Sequence, residues 1–250
     1  MSMHLSRTRF SKDIVCEFLP PKIKAKKDKV IIIASGMPGI PNGKEVMSFL
    51  ASKGYWVFLP RYRGSWESCG EFLKNEPTKD IKDVLEGLKK EFTDGWSGKK
   101  IKLNVKEVFI FGSSFGGPAA LMLSKEDSVK KVVTFSSIID WLADSKDEPL
   151  DWLFTFIRNA FGEGYRFPKS NWKKLSSGRF YNPVQNIEKI DSSKVLMFHN
   201  QDDTTVLYKD VKIFALKNKI KLISYKKGGH RGSSWVMEPK TWKIVKGFIK

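Results

Sequence analysis

Gly112-Ser113-Ser114-Phe115-Gly116-Gly117 decides the reading of this chain. An apolar run, Val108-Phe109-Ile110-Phe111, precedes it, and a helix-forming run, Pro118-Ala119-Ala120-Leu121-Met122-Leu123, follows. The order predicts a strand, a tight turn and a helix, with a G-x-S-x-G pattern at the turn. Only Ser114 has glycine two positions away on both sides, so the register is unambiguous. Such a turn strains its serine and exposes the hydroxyl. The flanking positions need glycine, because a Cβ there would collide where strand and helix approach closely. The pattern alone also suits a turn that cradles a phosphate, so the rest of the chain has to choose.

Working outward, residues 30–34 (Val-Ile-Ile-Ile-Ala) are apolar throughout, as expected of a strand buried on both faces. A loop follows, and Asn42 with Glu45 forms a capping-box pair predicting a helix to about Lys53, ended by Gly54. Residues 55–59 read as the next strand. Pro77 opens a helix carrying Ile81, Val84, Leu85, Leu88 and Phe92 at helical spacing. Strands are expected at 106–111, 129–135, 195–199 and 220–225, with an earlier one at 14–19. Helices are expected from the turn to about Lys125, over 205–217, and after Pro239. Alternation with crossovers this long predicts an α/β fold, a doubly wound and mostly parallel sheet.

Residues 140–190 interrupt that rhythm, being too long for a simple connection. They carry Trp141, Trp152, Phe154, Phe156, Phe161, Tyr165, Phe167, Trp172, Phe180 and Tyr181, with a helix expected over 150–161. We read residues 1–250 as a single domain with an aromatic-rich cap inserted at 140–190, most rings packing within it and some lining an apolar pocket.

Composition narrows the class. The chain has 250 residues, 41% of them hydrophobic, which suits one globular domain. No apolar run approaches the roughly 20 residues of a membrane span. The basic N-terminus lacks an apolar stretch behind it, so no signal peptide is expected, and cytoplasmic location is the default. Cys16 and Cys69 do not make a disulfide framework. The net charge of +18 comes from 45 Lys and Arg against 27 Asp and Glu. These cations are mostly lysines spread along the chain, densest at Lys22, Lys24, Lys26, Lys27 and Lys29. Arginine, preferred for bidentate phosphate contacts, is sparse. Weak, salt-sensitive attraction to polyanions is expected, and no specific nucleic-acid binding.

A serine hydroxyl attacks only when a base takes its proton, and histidine is the usual base near neutral pH. Of three histidines, His4 lies at the terminus and His199 ends a strand, where a core or loop-shaping role is expected. His230 sits in Lys227-Gly228-Gly229-His230-Arg231-Gly232, after the last strand and on the edge where parallel sheets place their sites. Asp202 and Asp203 follow the strand that ends at His199, and either can orient the imidazole. The other then caps a turn before Thr204-Thr205.

These stretches together resemble α/β-hydrolase-fold serine hydrolases, in particular prolyl-oligopeptidase-like domains and related esterases, over about residues 30–250. Arg61-Tyr62-Arg63-Gly64-Ser65-Trp66-Glu67-Ser68 resembles their D-Y-R-G-x-G-x-S stretch. His199-Asn200-Gln201-Asp202-Asp203-Thr204-Thr205-Val206 resembles the H-G-x-x-D-D-x-V stretch that carries the acid, which selects Asp203. Phe180-Tyr181-Asn182-Pro183-Val184 resembles the segment that returns from the cap. Arg61 stands for a usual aspartate, Trp66 and Asn200 for usual glycines, and Ser35 for a frequent loop histidine. The resemblance implies a Ser114–Asp203–His230 triad. Its oxyanion hole needs two backbone N–H groups, one from Phe115 and one from the loop after residues 30–34. Pro38 has no N–H, which leaves Met37.

The expected activity is hydrolysis of carboxylic esters through an acyl-enzyme, with no metal or organic cofactor. Two alternatives remain open. One is hydrolysis of short peptides or acylated amino acids by the same triad; the other is a catalytically silent fold used for binding. The expected partner is a small-molecule ester or short peptide.

Overall fold

The structure is a computed structural model that describes residues 5–23 and 26–250. His4 and Lys24, both named above, lie outside them.

In chain order the elements are β1 (Ser6–Phe10), β2 (Ile14–Leu19), β3 (Asp28–Ala34), α1 (Lys44–Ser52), β4 (Trp56–Pro60) and α2 (Pro77–Gly87). A small hairpin, β5 (Phe92–Thr93) with β6 (Lys100–Ile101), comes next. Then follow β7 (Val105–Ser113), α3 (Gly117–Met122), β8 (Val129–Phe135), α4 (Leu150–Phe161) and α5 (Lys169–Lys173). The chain closes with β9 (Val195–Asn200), α6 (Tyr208–Lys217), β10 (Lys221–Tyr225) and α7 (Pro239–Phe248).

Among the described residues eight strands form one sheet in the order β1-β2-β4-β3-β7-β8-β9-β10. From β4 to β10 every neighbouring pair is parallel. The β1–β2 hairpin adds an antiparallel edge. β3 shows why the sheet takes this form. Ile31 and Ile33 bury into one face, Val30, Ile32 and Ala34 into the other. Each fully buried isoleucine stabilises the fold by about 1.5–3 kcal/mol relative to exposure, so such a strand is driven to the centre and needs cover on both sides. α1 and α7 cover the first face; α2, α3 and α6 cover the second. This is the expected α/β fold, doubly wound and mostly parallel.

Four local expectations are corrected. α2 does not carry Leu88 or Phe92: it ends at Gly87, and Phe92 lies in β5. Asn42 and Glu45 do not form a capping box: α1 starts at Lys44 with Gly43 as its cap and no side-chain cap bond. A Cβ at position 43 would lie 2.2 Å from Leu59 Cδ2, so the start of the helix packs closely against the Leu59 side chain of β4. α3 does not reach Lys125. A 3-10 turn at Ser114–Gly116 uses the first residues, and the helix ends at Met122. α6 begins at Tyr208 rather than Thr205, because the Thr205 and Val206 N–H groups donate to Asp203 Oδ1, at 3.0 and 2.9 Å.

Residues 140–190 carry α4, α5 and short turns. Leu153, Ile157, Tyr165, Phe167, Trp172 and Tyr181 join the core that contains Phe72 and Phe115. The Trp141 indole donates to the Tyr181 carbonyl at 2.9 Å, and the Tyr181 hydroxyl donates to the Phe115 carbonyl at 2.6 Å. The Tyr165 hydroxyl accepts the Gly39 N–H at 3.1 Å and donates to the Gly39 carbonyl at 3.2 Å. The segment is thus tied to the turn after β7 and to the loop after β3. Cys16 and Cys69 are both free. Among the described residues no helix is long and apolar enough to cross a membrane.

Candidate active site

β7 runs between β3 and β8 and delivers Ser114 at its carboxyl end. Ser114 has φ +47°, in the left-handed region that side chains other than glycine rarely adopt. The neighbouring glycines show what imposes it. A Cβ at Gly112 would lie 2.6 Å from Ala120 Cβ, one at Gly116 2.1 Å from the Ala34 carbonyl oxygen, and one at Gly117 2.0 Å from Ser137 Oγ. The turn is packed against β3 and against the residues after β8, and only glycine fits. Ser113 ends the strand and is buried, whereas Ser114 is half-buried.

β9 delivers Asp203 and the loop after β10 delivers His230. His230 Nδ1 lies 2.9 Å from Asp203 Oδ2 and 3.1 Å from Oδ1. A carboxylate accepts, so Nδ1 carries the proton and Nε2 is left as the acceptor. The Asp203 side chain is fully buried. Burial pushes its carboxyl up, but the hydrogen bond and charge of His230 and the Val206 N–H outweigh this and hold it below the usual carboxylate range.

Several side chains fix the His230 loop. Asp202 accepts the Gly229 N–H at 2.9 Å and the Gly228 N–H at 3.1 Å, and these two bonds lower its own carboxyl. The Asn200 amide donates to the Gly229 carbonyl at 2.8 Å. Ser136 Oγ accepts the Arg231 N–H at 3.0 Å. Neither Asn200 nor Ser136 stood out in the sequence as a support for His230. Asn200 had one visible signal, its departure from a usual glycine. His199 shapes its loop as expected: its Nε2 donates to the Val206 carbonyl at 2.8 Å and lies 3.3 Å from Asp203 Oδ2. Burial lowers its pKa, with Asp203 opposing, so the ring is neutral.

Ser114, His230 and Met37 line one cleft of about 540 Å³. Trp66, Phe156, Phe161 and Tyr165 wall it, and Arg61 and Glu148 also reach it. Phe115 lies behind Ser114, its ring in the core against Tyr62, Phe72, Trp141 and Tyr181. Trp152 does not line the cleft; it stacks on Phe156 at 4.9 Å with the planes 8° apart. Among the described residues no group of three or more His, Cys, Asp or Glu side chains is placed to hold a metal ion.

The departures noted in the sequence acquire physical reasons. Trp66 has φ +45°, which explains why glycine is usual there. Arg61 is buried and pairs with Glu17 of β2 at 2.7 Å.

Solved structures share this architecture. The uncomplexed acylaminoacyl peptidase of Pyrococcus horikoshii matches with TM-score 0.65 and 22% identity, over 99% of this chain and 42% of that one. The esterase Pf2001 of Pyrococcus furiosus matches with TM-score 0.66 and 20% identity, over 98% of this chain and 89% of that one. The esterase Est2 of Thermogutta terrifontis matches with TM-score 0.61 and 13% identity, over 99% and 92%. The chain therefore spans less than half the length of the acylaminoacyl peptidase and most of the length of the esterases. No curated protein matches it. Residues 42–249 match the prolyl oligopeptidase family, a span that holds five of the eight strands of the sheet, β4 and β7 to β10, together with Ser114, Asp203 and His230. The chain belongs to the prolyl oligopeptidase family of α/β-hydrolase-fold serine hydrolases.

Proposed function

We propose that the chain hydrolyses carboxylic esters through an acyl-enzyme, with Ser114 as nucleophile, His230 as base and then acid, and Asp203 as the group that orients His230. The observation that carries this reading is the buried Asp203 carboxylate bonded to His230 Nδ1 at 2.9 Å, with His230 in one cleft with a strained Ser114. That bond frees Nε2 to take the serine proton and return it to the leaving group. The backbone N–H groups of Met37 and Phe115 form the oxyanion hole, where each such donor contributes a rate factor of about 10² to 10³. Residues 140–190 act as a cap, with Phe156, Phe161 and Tyr165 as its wall.

Esters are placed first because two of the similar solved structures are esterases, and the acylaminoacyl peptidase keeps the peptide alternative in the test. The test is turnover of a panel of p-nitrophenyl esters and aminoacyl p-nitroanilides. Ester turnover that disappears in Ser114→Ala supports the reading. Turnover of anilides alone would move the chain to the peptidases, and turnover of neither would leave a silent fold.

A further inference from the structure

Glu148 lines the cleft that holds Ser114 and His230. It is half-buried, and its N–H donates to Ser145 Oγ at 3.0 Å. Its carboxylate has no ion pair or hydrogen bond among the described residues. Other carboxylates that lack both among the described residues, such as Glu45, Asp127 and Glu163, are exposed, whereas Glu148 lines a cleft. The cation that shares the cleft, Arg61, is already held by Glu17 at 2.7 Å. Burial pushes the Glu148 carboxyl up, and the nearby His230 works against that rise. An ionised carboxylate there is short of solvation, and an entering cation would restore it. The neighbouring walls suit the same guest. Trp66, Phe156, Phe161 and Tyr165 line this cleft, and ring faces attract alkylammonium groups.

His230 is among the charges that act on Glu148, which tells which part of a substrate meets it. His230 has to hand its proton to the leaving group, so the His230 side of the cleft is the leaving-group side. We propose, building on the hydrolase reading above, that the cleft selects esters whose leaving group carries an alkylammonium, with Glu148 as its counter-ion and the aromatic wall around it. The net charge of +18 opposes a cation at long range. Salt screens that field beyond about 8 Å at physiological strength, so contact inside the cleft decides the selection.

The test uses two thioesters of one shape, acetylthiocholine and 3,3-dimethylbutyl thioacetate, which differ by N⁺ in place of C. The wild type is expected to prefer the cation by about tenfold or more in kcat/KM, and Glu148→Gln to bring the ratio close to one. Glu148→Asp, which keeps the charge, should retain part of the preference. Binding of tetramethylammonium, followed by NMR titration, needs no turnover and should weaken about tenfold in Glu148→Gln. An equal ratio in wild type and Glu148→Gln, or equal tetramethylammonium affinity, would overturn the proposal. If neither ester turns over while tetramethylammonium binding depends on Glu148, the hydrolase reading fails and the cation site stands.

Discussion

Asp202 accepts the backbone N–H of Gly229 at 2.9 Å, one residue before His230, while its neighbour Asp203 accepts the His230 ring. Two adjacent carboxylates therefore hold one loop by different means. The buried one fixes the imidazole and the exposed one fixes the backbone. Removing them should have unequal effects. Asp203→Asn is expected to lower kcat by about 10³ to 10⁴, because the ring loses its tautomer and orientation. Asp202→Asn is expected to cost about tenfold or less, since Asn200 and Ser136 still hold the loop. Steady-state kinetics on both variants decides it, and a reversal of the two effects would place the acid at Asp202.

Trp66 carries a left-handed backbone in a position where a glycine would be relaxed. Trp66→Gly and Trp66→Ala both remove the ring from Phe161 and Tyr165, so their difference isolates the backbone. The glycine variant should be the more stable by about 1 kcal/mol in urea unfolding. Equal midpoints would mean that the loop relaxes once the indole is gone.

Asp80 offers a test by pH. Arg63 is shared among Asp13 at 2.6 Å, Asp80 at 2.5 Å and Asp83 at 2.7 Å. Burial pushes Asp80 up to about 6, against the pull of Arg63 and with Asp83 adding to the rise. The folded state thus binds this proton more tightly than the unfolded chain, where aspartate titrates near about 3.9. The stability from this proton is fully present below about pH 4 and is lost as pH rises through about 6. Asp80→Asn has no such proton, so its stability relative to wild type should improve as pH rises between these values, by at most about 1.4 kcal/mol per unit. Denaturant melts at pH 4, 5, 6 and 7 measure this. A constant difference would show that Arg63 keeps Asp80 ionised throughout.

The aromatic wall should set leaving-group preference. Each added CH₂ that the cleft buries contributes roughly 0.8 kcal/mol until the space is filled. kcat/KM should rise over esters of short uncharged alcohols and then flatten. Phe156→Ala should move that plateau, and Trp152→Ala should move it less, because Trp152 only backs Phe156. A flat series in all three proteins would mean that the wall does not meet the leaving group.

The sequence made the sheet legible and marked three candidate residues, Ser114, Asp203 and His230, for identifiable reasons. β3 and β7 are apolar on both faces, a pattern few elements other than a central strand produce. Ser114 sits in a turn whose glycines answer a local backbone demand, His230 stood out among three histidines by its loop after the last strand, and only the family resemblance chose Asp203 over Asp202. Features that depend on distant partners stayed hidden. β1 reads Ser-Arg-Thr-Arg-Phe and buries little besides Thr8 and Phe10, so it has no apolar run to show. Glu17 and Arg61 meet across 44 residues, and neither is unusual alone. Asn42 with Glu45 made a good capping box by local rules, but the helix starts one residue later, with Gly43 as its cap against the Leu59 side chain. Glu148 became notable only when the structure set it in the cleft with no partner among the described residues.

The central claim is that Ser114 is the nucleophile, and Ser113 is its nearest rival, since both line the cleft. Ser114 has the strained φ and the partly exposed side chain, whereas Ser113 is extended and buried. Labelling with a fluorophosphonate, followed by peptide mass spectrometry of wild type, Ser113→Ala and Ser114→Ala, separates them. The account predicts one adduct on Ser114, retained in Ser113→Ala and absent in Ser114→Ala. An adduct on Ser113, or no adduct on the folded wild type, would contradict it.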